Sequence, residues 1–133
     1  MQRIWRRLIP ALFLVLVAGI AASTAAPQVV IEDVRLGRHG DHTRFVLDMS
    51  DRVDVEVFTL ADPYRIVVDF PEVGWRLDPA ATQGPVGLVK GFRFGLFRPG
   101  RSRLVIDLSG PGAVVNKFLL PPEGQRGYRL VLD

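Results

Sequence analysis

Arginine and aspartate recur at a fixed spacing in four short segments of the chain. Each segment reads Arg-apolar-Val-apolar-Asp, and the four segments are residues 44–48, 65–69, 103–107 and 129–133. An arginine guanidinium binds a carboxylate through two parallel hydrogen bonds, and both groups also hydrogen-bond to the hydroxyls, amides and carboxylates of a sugar polymer. The regular placement is structural and does not resemble a catalytic carboxylate pair. These residues therefore indicate binding.

The four segments predict short β-strands with one apolar and one polar face, because branched apolar residues favour strands and successive side chains alternate in direction. In residues 43–49, Phe45 and Leu47 are expected to face the core, and Arg44 and Asp48 to face outward. The outward charged residues are candidate ligand-binding residues: Arg44, Asp48, Arg65, Asp69, Arg103, Asp107 and Arg129. Two interpretations stay open. Opposite charges on a solvated face contribute roughly 0.2–1 kcal/mol per cross-strand pair, or the charges form a platform for a sugar polymer.

The segments also mark an internal duplication. Residues 43–50 resemble residues 102–109, and residues 64–69 resemble residues 128–133, at a spacing of about 60 residues. Two copies, 28–75 and 86–133, predict an all-β fold, a β-sandwich of two similar four-stranded sheets in which each copy packs on the other. The apolar residues change from odd to even positions across residues 32–33, and from one parity to the other across residues 90–91. This predicts a β-bulge in the first strand of each copy, because an extra residue moves the following side chains to the other face. Further strands are expected at 53–60 and 114–120, and a linker at 71–85.

A second candidate site is the basic hairpin of residues 90–103, which is rich in arginine and phenylalanine. Its candidate binding residues are Arg93, Phe97, Arg98 and Arg101. Phe92, Phe94 and Leu96 are expected in the core, whereas Phe97 has the opposite parity and is expected at the surface. Arginines here would attract carboxylates, although a basic tip that only keeps the protein soluble is an equal alternative. Trp75 in the linker either plugs the open end of the sandwich or stacks on a sugar, and the plug is favoured.

Enzymatic motifs are missing from the sequence. It contains no nucleophile elbow and no Gly-rich phosphate loop, and it has no cysteine. The two histidines, His39 and His42, share a polar turn with Asp41. Such residues are far more often solvated turn residues than zinc ligands. We therefore expect no enzyme activity and no cofactor in this chain.

Residues 1–25 have the pattern of a secretory signal peptide. A basic start with Arg6 and Arg7 precedes an apolar run at 8–20 and a zone of small residues at 21–26. The run is short for a transmembrane helix, so no stable membrane anchor is expected after cleavage, and residues 26–133 form one domain. The arginine pair leaves Sec and twin-arginine export both open. The remaining chain has an acidic first half and a basic second half, which argues against nucleic-acid binding.

Residues 58–70 resemble an AMIN domain. The family pattern places an aromatic residue and Thr-Leu before Asp-Pro, followed by Arg-apolar-Val-apolar-Asp, and this chain has Phe58, Asp62-Pro63, Arg65 and Asp69 at those places. The resemblance extends over residues 28–133, because the second half repeats the motif.

The resemblance implies a periplasmic β-sandwich that binds peptidoglycan. AMIN domains most often precede a zinc-dependent N-acetylmuramoyl-L-alanine amidase domain and bring it to the division septum, where divisome proteins are possible partners. They also occur in outer-membrane secretins of type IV pilus systems, which implies an alternative role as a protein-interaction adaptor. The family's zinc ligands lie in a downstream domain. The resemblance therefore assigns no catalytic residue to this chain, and zinc is expected only in such a domain.

Overall fold

The computed structural model describes residues 28–78 and 84–133, which form nine β-strands and no helix. The strands are β1 (Val30–His39), β2 (His42–Met49), β3 (Glu56–Leu60), β4 (Arg65–Pro71), β5 (Gly74–Trp75), β6 (Val89–Arg98), β7 (Arg101–Leu108), β8 (Lys117–Leu120) and β9 (Tyr128–Leu132). The predicted signal peptide, residues 1–25, lies outside the described residues, as does part of the predicted linker. Within the described ranges, no helix is long and apolar enough to span a membrane.

The strands form two sheets that enclose one hydrophobic core. The five-stranded sheet has the order β5-β1-β2-β9-β8, and the four-stranded sheet has the order β3-β4-β7-β6. Alternate side chains of the motif strands enter the core, and Phe45, Leu47, Leu104 and Ile106 are fully or almost fully buried. The predicted all-β sandwich and the predicted inward faces of these strands are therefore confirmed.

Each sheet takes one hairpin from each copy of the duplication. The β1–β2 hairpin of the first copy pairs with β9–β8 of the second, and β3–β4 of the first pairs with β7–β6 of the second. The expectation that each copy forms its own sheet is therefore wrong. The alternating pattern shows which side of a strand faces the core, but this pattern is the same in both sheets and does not select the neighbouring strand.

The two predicted β-bulges are present. The register shifts between Ile31 and Asp33 in β1 and between Val89 and Gly91 in β6. A third shift, between Leu96 and Arg98 near the tip of the β6–β7 hairpin, was not predicted. The bulges matter for function because they set which side chains of β1 and β6 reach the outer surface.

The outer strands differ from the predicted ranges. Strands β3 and β8 begin at Glu56 and Lys117, so the predicted strands 53–60 and 114–120 are both too long at their starts. Val53, Val55 and Val114 pack against the core without joining a sheet ladder. Their apolar character serves packing, which the sequence pattern does not distinguish from strand pairing.

The predicted linker contains β5, which pairs in parallel with the start of β1. Trp75 of β5 packs against the core, with its ring centroid 5.8 Å from that of Phe70 and 4.9 Å from that of Phe94. The expectation that Trp75 plugs the sandwich is therefore confirmed.

Candidate binding faces of the sandwich

The four Arg-apolar-Val-apolar-Asp segments meet as two antiparallel pairs at the centres of the sheets. Strand β2 lies beside β9, and β4 lies beside β7. Since each segment has arginine at one end and aspartate at the other, antiparallel pairing places arginine opposite aspartate. We call the outer surfaces of the two sheets the five-stranded face and the four-stranded face. Every candidate residue of the segments points to one of them.

One arginine–aspartate pair on each face is bidentate and largely enclosed. Arg44 donates to Asp133 on the five-stranded face, with distances of 2.7 Å from Nε and 2.8 Å from Nη2. Arg103 donates to Asp69 on the four-stranded face, with distances of 2.7 and 2.9 Å. The side chains of Asp133 and Asp69 are only 2% and 6% exposed, whereas those of Arg44 and Arg103 are partly exposed. The enclosed aspartates therefore fix the position of the partly exposed arginines.

These hydrogen bonds fix the charges of both pairs. The hydrogen bonds from Arg103 hold the pKa of Asp69 below its usual value, although burial opposes this shift. Those from Arg44 likewise lower the pKa of Asp133. The pKa values of the two arginines are raised by the same bonds. Both pairs consequently stay ionised at neutral pH, and each holds a partly exposed guanidinium in a fixed position.

The other two aspartates bind arginines of the edge-side neighbouring strands. Asp48 lies opposite Arg129 in the register but accepts hydrogen bonds from Arg35 of β1, at 3.2 and 2.9 Å. Asp107 lies opposite Arg65 but accepts two bonds of 3.1 Å from Arg93 of β6. The cross-strand pairing predicted for opposite charges thus holds for half of the central positions.

Arg65 and Arg129 turn toward the loops that precede their strands. The Nε of Arg65 donates to the carbonyl oxygen of Pro63 at 3.0 Å. Nη2 of Arg129 lies 3.6 Å from the carboxylate of Glu123, and its Nε is buried without a hydrogen-bond partner. These two candidates are therefore less suited to contact a ligand than the arginines at the centre of each face.

The expectation that the motif residues lie on open, solvated faces needs correction. Val67 and Val131, in the middle of the two faces, are buried, and Asp69 is almost fully enclosed. Aromatic side chains of the edge strands lie over the central arginines. The ring centroid of Phe58 is 5.7 Å from the guanidinium carbon of Arg103, and that of Phe118 is 5.7 Å from the guanidinium carbon of Arg44. Long side chains on the outer surface shield the small residues between them.

The basic hairpin of β6 and β7 forms one end of the four-stranded face. The ring of Phe97 lies 3.7 Å from the guanidinium carbon of Arg103, and Phe97 is 51% exposed, as its parity predicted. Arg98 is exposed at the tip, and Nη1 of Arg101 lies 3.9 Å from Glu56 and 4.0 Å from Asp69. Phe97, Arg98, Arg101 and Arg103 are thus brought together around a half-exposed aromatic ring.

The prediction that Leu96 of this hairpin is buried is wrong. It was expected in the core with Phe92 and Phe94, but it is 59% exposed, whereas Phe92 is buried and Phe94 is partly buried. The β6–β7 hairpin extends to Arg98, and the unpredicted bulge beyond Leu96 interrupts the alternation there. The exposed Leu96 adds apolar surface next to Phe97.

A shallow depression of about 200 Å³ lies on the four-stranded face beside this hairpin. Arg93, Gly95 and Phe97 of β6 line one side, and Arg103 and Val105 of β7 line the other. An added Cβ at Gly95 would meet no atom within 4 Å, so the glycine leaves open space next to Arg103, its register partner. The depression offers a flat aromatic surface, a fixed guanidinium and a further arginine to one ligand.

The two histidines flank the turn of the β1–β2 hairpin. His39 and His42 are exposed register partners at the tip of the β1–β2 hairpin. Among the described residues, no group of three or more histidine, cysteine, aspartate or glutamate side chains could hold a metal ion.

The candidate residues are divided between the two faces. Arg65, Asp69, Arg93, Phe97, Arg98, Arg101, Arg103 and Asp107 lie on the four-stranded side, and Arg44, Asp48 and Arg129 lie on the five-stranded side. Sequence reasoning missed the roles of Arg35, Phe58 and Phe118. Residues 34–37 also resemble residues 92–95, and this similarity could have identified Arg35, because it aligns Arg35 with Arg93. Nothing comparable in the pattern shows that an aromatic ring lies over a particular arginine.

The chain is similar to a known domain family and to a known amidase. The model of the AMIN domain family matches residues 33–133. The chain is 30% identical over 120 residues to the N-acetylmuramoyl-L-alanine amidase AmiC of Neisseria meningitidis serogroup B. This match covers 87% of the chain and 28% of the amidase, so the chain spans well under half the length of that relative.

Proposed function

Because the chain belongs to the AMIN domain family, we propose that it is a periplasmic peptidoglycan-binding module that brings a cell-wall amidase to the division septum. The observation that carries this proposal is the position of the Arg103 guanidinium. It is hydrogen-bonded to the enclosed Asp69 and lies against the half-exposed ring of Phe97 on the outer surface. The similar protein from Neisseria meningitidis is an N-acetylmuramoyl-L-alanine amidase, which supports a cell-wall amidase as the protein to be delivered.

The four-stranded face matches the two chemical parts of peptidoglycan. Its glycan presents the apolar faces of sugar rings, which stack on exposed aromatic rings such as Phe97. Its stem peptides carry carboxylates, which arginine binds bidentately. Arg98 and Arg101 lie at the same hairpin tip and supply this charge next to the ring. In this mechanism the ring orients a sugar and the arginines hold a neighbouring peptide carboxylate.

Co-sedimentation of residues 28–133 with purified sacculi tests the proposal. We expect the protein to sediment with sacculi, and we expect retention to weaken as salt rises, because exposed charges are screened. The variant Arg98→Glu with Arg101→Glu should lose most of this retention while its far-ultraviolet circular dichroism stays that of the folded chain. Its melting temperature should fall somewhat, because Arg101 lies close to the carboxylates of Glu56 and Asp69. Failure of the unaltered chain to bind sacculi at low salt would overturn the proposal.

A matched control separates the hairpin from overall charge. Arg76→Glu with Arg126→Glu makes the same change in net charge at exposed positions outside the basic hairpin. This variant should be retained like the unaltered chain. Equal losses in both double variants would show that general electrostatic attraction, and not the hairpin, holds the protein to the wall.

A protein-interaction adaptor is the second candidate function, favoured by the edge of the five-stranded sheet. Strand β8 is an edge strand, and the exposed apolar residues Phe118, Leu119 and the nearby Val115 lie along it. An exposed strand edge with apolar side chains can receive a strand from another protein. Absence of sacculus binding, together with capture of an envelope protein that Leu119→Lys abolishes, would favour this role.

A further inference from the structure

The five-stranded face carries a second depression that corresponds to the one beside Phe97. It is also shallow, and its volume is also about 200 Å³. Its lining follows the duplication position by position. Arg35 corresponds to Arg93, Gly37 to Gly95, Arg44 to Arg103 and Val46 to Val105. The correspondence arises because β1-β2-β9-β8 repeats the arrangement of β6-β7-β4-β3. The two depressions therefore lie on opposite outer faces of one domain.

Both depressions are built around the same anchored guanidinium. Gly37 is the register partner of Arg44, as Gly95 is of Arg103. An added Cβ at either glycine would meet no atom within 4 Å. Asp133 holds Arg44 at 2.7 Å, as Asp69 holds Arg103 at 2.7 Å. A glycine notch beside a fixed, partly exposed guanidinium is thus present twice, and each notch has room for a ligand group next to the charge.

Three arginines, Arg35, Arg38 and Arg44, line the second depression, whereas two, Arg93 and Arg103, line the first. At its tip, the second depression is lined by Arg38 and His39, whereas Leu96 and Phe97 line the tip of the first. In the register, His39 pairs with His42 as Arg98 pairs with Arg101, so Phe97 lies in a bulge that the β1–β2 hairpin lacks at this end. No aromatic ring of this hairpin covers Arg44, although Phe118 of β8 lies 5.7 Å from it. The second depression consequently suits a carboxylate-bearing part of a ligand, whereas the first adds a surface for ring stacking.

We propose that the depression on the five-stranded face is a second binding site for the wall polymer, so that one domain holds two glycan–peptide strands at once. This inference rests on the proposed function, because it assigns the same polymer to both faces. Two sites on opposite faces of a rigid sandwich cannot serve one short fragment, but they can bind neighbouring strands of a sacculus. Linked binding of this kind raises retention by about 10²–10⁴-fold over a single site without any new contact.

Variants at the tips of the two depressions separate the two sites. His39 and Phe97 are both exposed, so His39→Glu and Phe97→Glu place a carboxylate at each tip without disturbing the core. We expect each single variant to lower retention on sacculi at least tenfold, and the double variant to abolish it. Gln125→Glu changes the charge at an exposed position that lines neither depression, and it should be retained like the unaltered chain.

A titration followed by amide NMR then locates the sites. The probe is a soluble disaccharide-peptide released from sacculi by a muramidase, and the reporters are the amides of Gly37 and Gly95. In the unaltered chain both amides should shift. His39→Glu should suppress the shift at Gly37 alone, and Phe97→Glu the shift at Gly95 alone.

The outcomes distinguish this inference from the proposed function. A shift at Gly95 without one at Gly37 would overturn the second site and leave peptidoglycan binding intact. Sacculus binding without a shift at either glycine would also overturn it, because the polymer would then bind outside both depressions. No binding to sacculi and no shift would overturn the proposed function itself.

Discussion

Asp69 holds Arg103 from inside the protein, whereas Asp107 holds Arg93 at the surface. Both aspartates make two hydrogen bonds, but those of Asp69 are shorter and its side chain is 6% exposed, against 31% for Asp107. Asp69→Asn should lower the free energy of unfolding by about 1–3 kcal/mol, because it leaves a partly buried guanidinium without its charged acceptor. Asp107→Asn should cost less than about 1 kcal/mol, since exposed ion pairs contribute little. Urea denaturation of both variants measures the difference, and equal losses would contradict the division into anchoring and surface pairs.

The two enclosed aspartates also make stability depend on pH. Hydrogen bonds from Arg103 and Arg44 lower the pKa of Asp69 and Asp133 in the folded state. A carboxylate whose pKa is lowered by folding stabilises the protein above its unfolded pKa of about 3.9, and this contribution is lost as pH falls toward the folded value. The contribution of these groups to stability should therefore be constant between about pH 5, which is about 1 unit above the unfolded pKa, and about pH 7. It should fall in stronger acid. Urea denaturation from about pH 7 down into stronger acid, below the unfolded pKa of about 3.9, should show a shallower acid decline in Asp69→Asn, and an unchanged decline would contradict the assignment.

The short strand β5 is attached to the sandwich through Ser102 of β7. Ser102 is fully buried, and its hydroxyl accepts a hydrogen bond from the amide of Val73 at 3.1 Å and donates to the carbonyl of Val73 at 3.4 Å. Ser102→Ala should lower the free energy of unfolding by about 1–3 kcal/mol, because the Val73 amide loses its partner. The Gly74 and Arg76 amides donate hydrogen bonds to the carbonyls of Val29 and Ile31. Hydrogen exchange of these two amides should become faster.

Ser109→Ala is the control for this attachment. Ser109 is exposed, and its hydroxyl donates a hydrogen bond of 3.3 Å to the carbonyl of Leu88. Its loss should leave the exchange of Gly74 and Arg76 unchanged. Slow exchange at both amides in Ser102→Ala would show that Trp75 and its aromatic neighbours hold β5 without the serine.

The elements could be predicted from the sequence wherever alternation decides the structure. The change of parity at residues 32–33 and 90–91 is a direct consequence of an extra residue in the strand, so both bulges were found. Strand β5 could not be found in this way, since two residues are too few to show alternation. The burial of Asp69 was also beyond the pattern, because it depends on how Arg101 and Arg103 of the neighbouring strand β7 lie against it. The exposure of Phe97 was predictable from parity, but its stacking on Arg103 required the register of β6 on β7.

At the scale of the whole molecule, the exchange of hairpins makes the two copies of the duplication depend on each other. The central pairs, β2 with β9 and β4 with β7, join strands of different copies, and both enclosed arginine–aspartate pairs cross the same boundary. Neither copy alone can complete a sheet. Because the first copy is acidic and the second is basic, mixed pairing is electrostatically favoured over pairing of like copies.

This dependence predicts the behaviour of the separated copies. Residues 28–78 alone and residues 84–133 alone should lack a β-sheet signal in far-ultraviolet circular dichroism at low concentration, because each leaves a central strand unpaired and half of the core exposed. Mixing them in equal amounts should restore the signal, and Asp133→Asn in the second piece should weaken the assembly by removing the partner of Arg44. Cooperative unfolding of either piece alone would contradict the prediction, because a self-sufficient copy would have to complete its own sheet. Recovery in the mixture would show that the exchanged hairpins specify the sandwich without a covalent linker, as the matching strand orders of the two sheets imply.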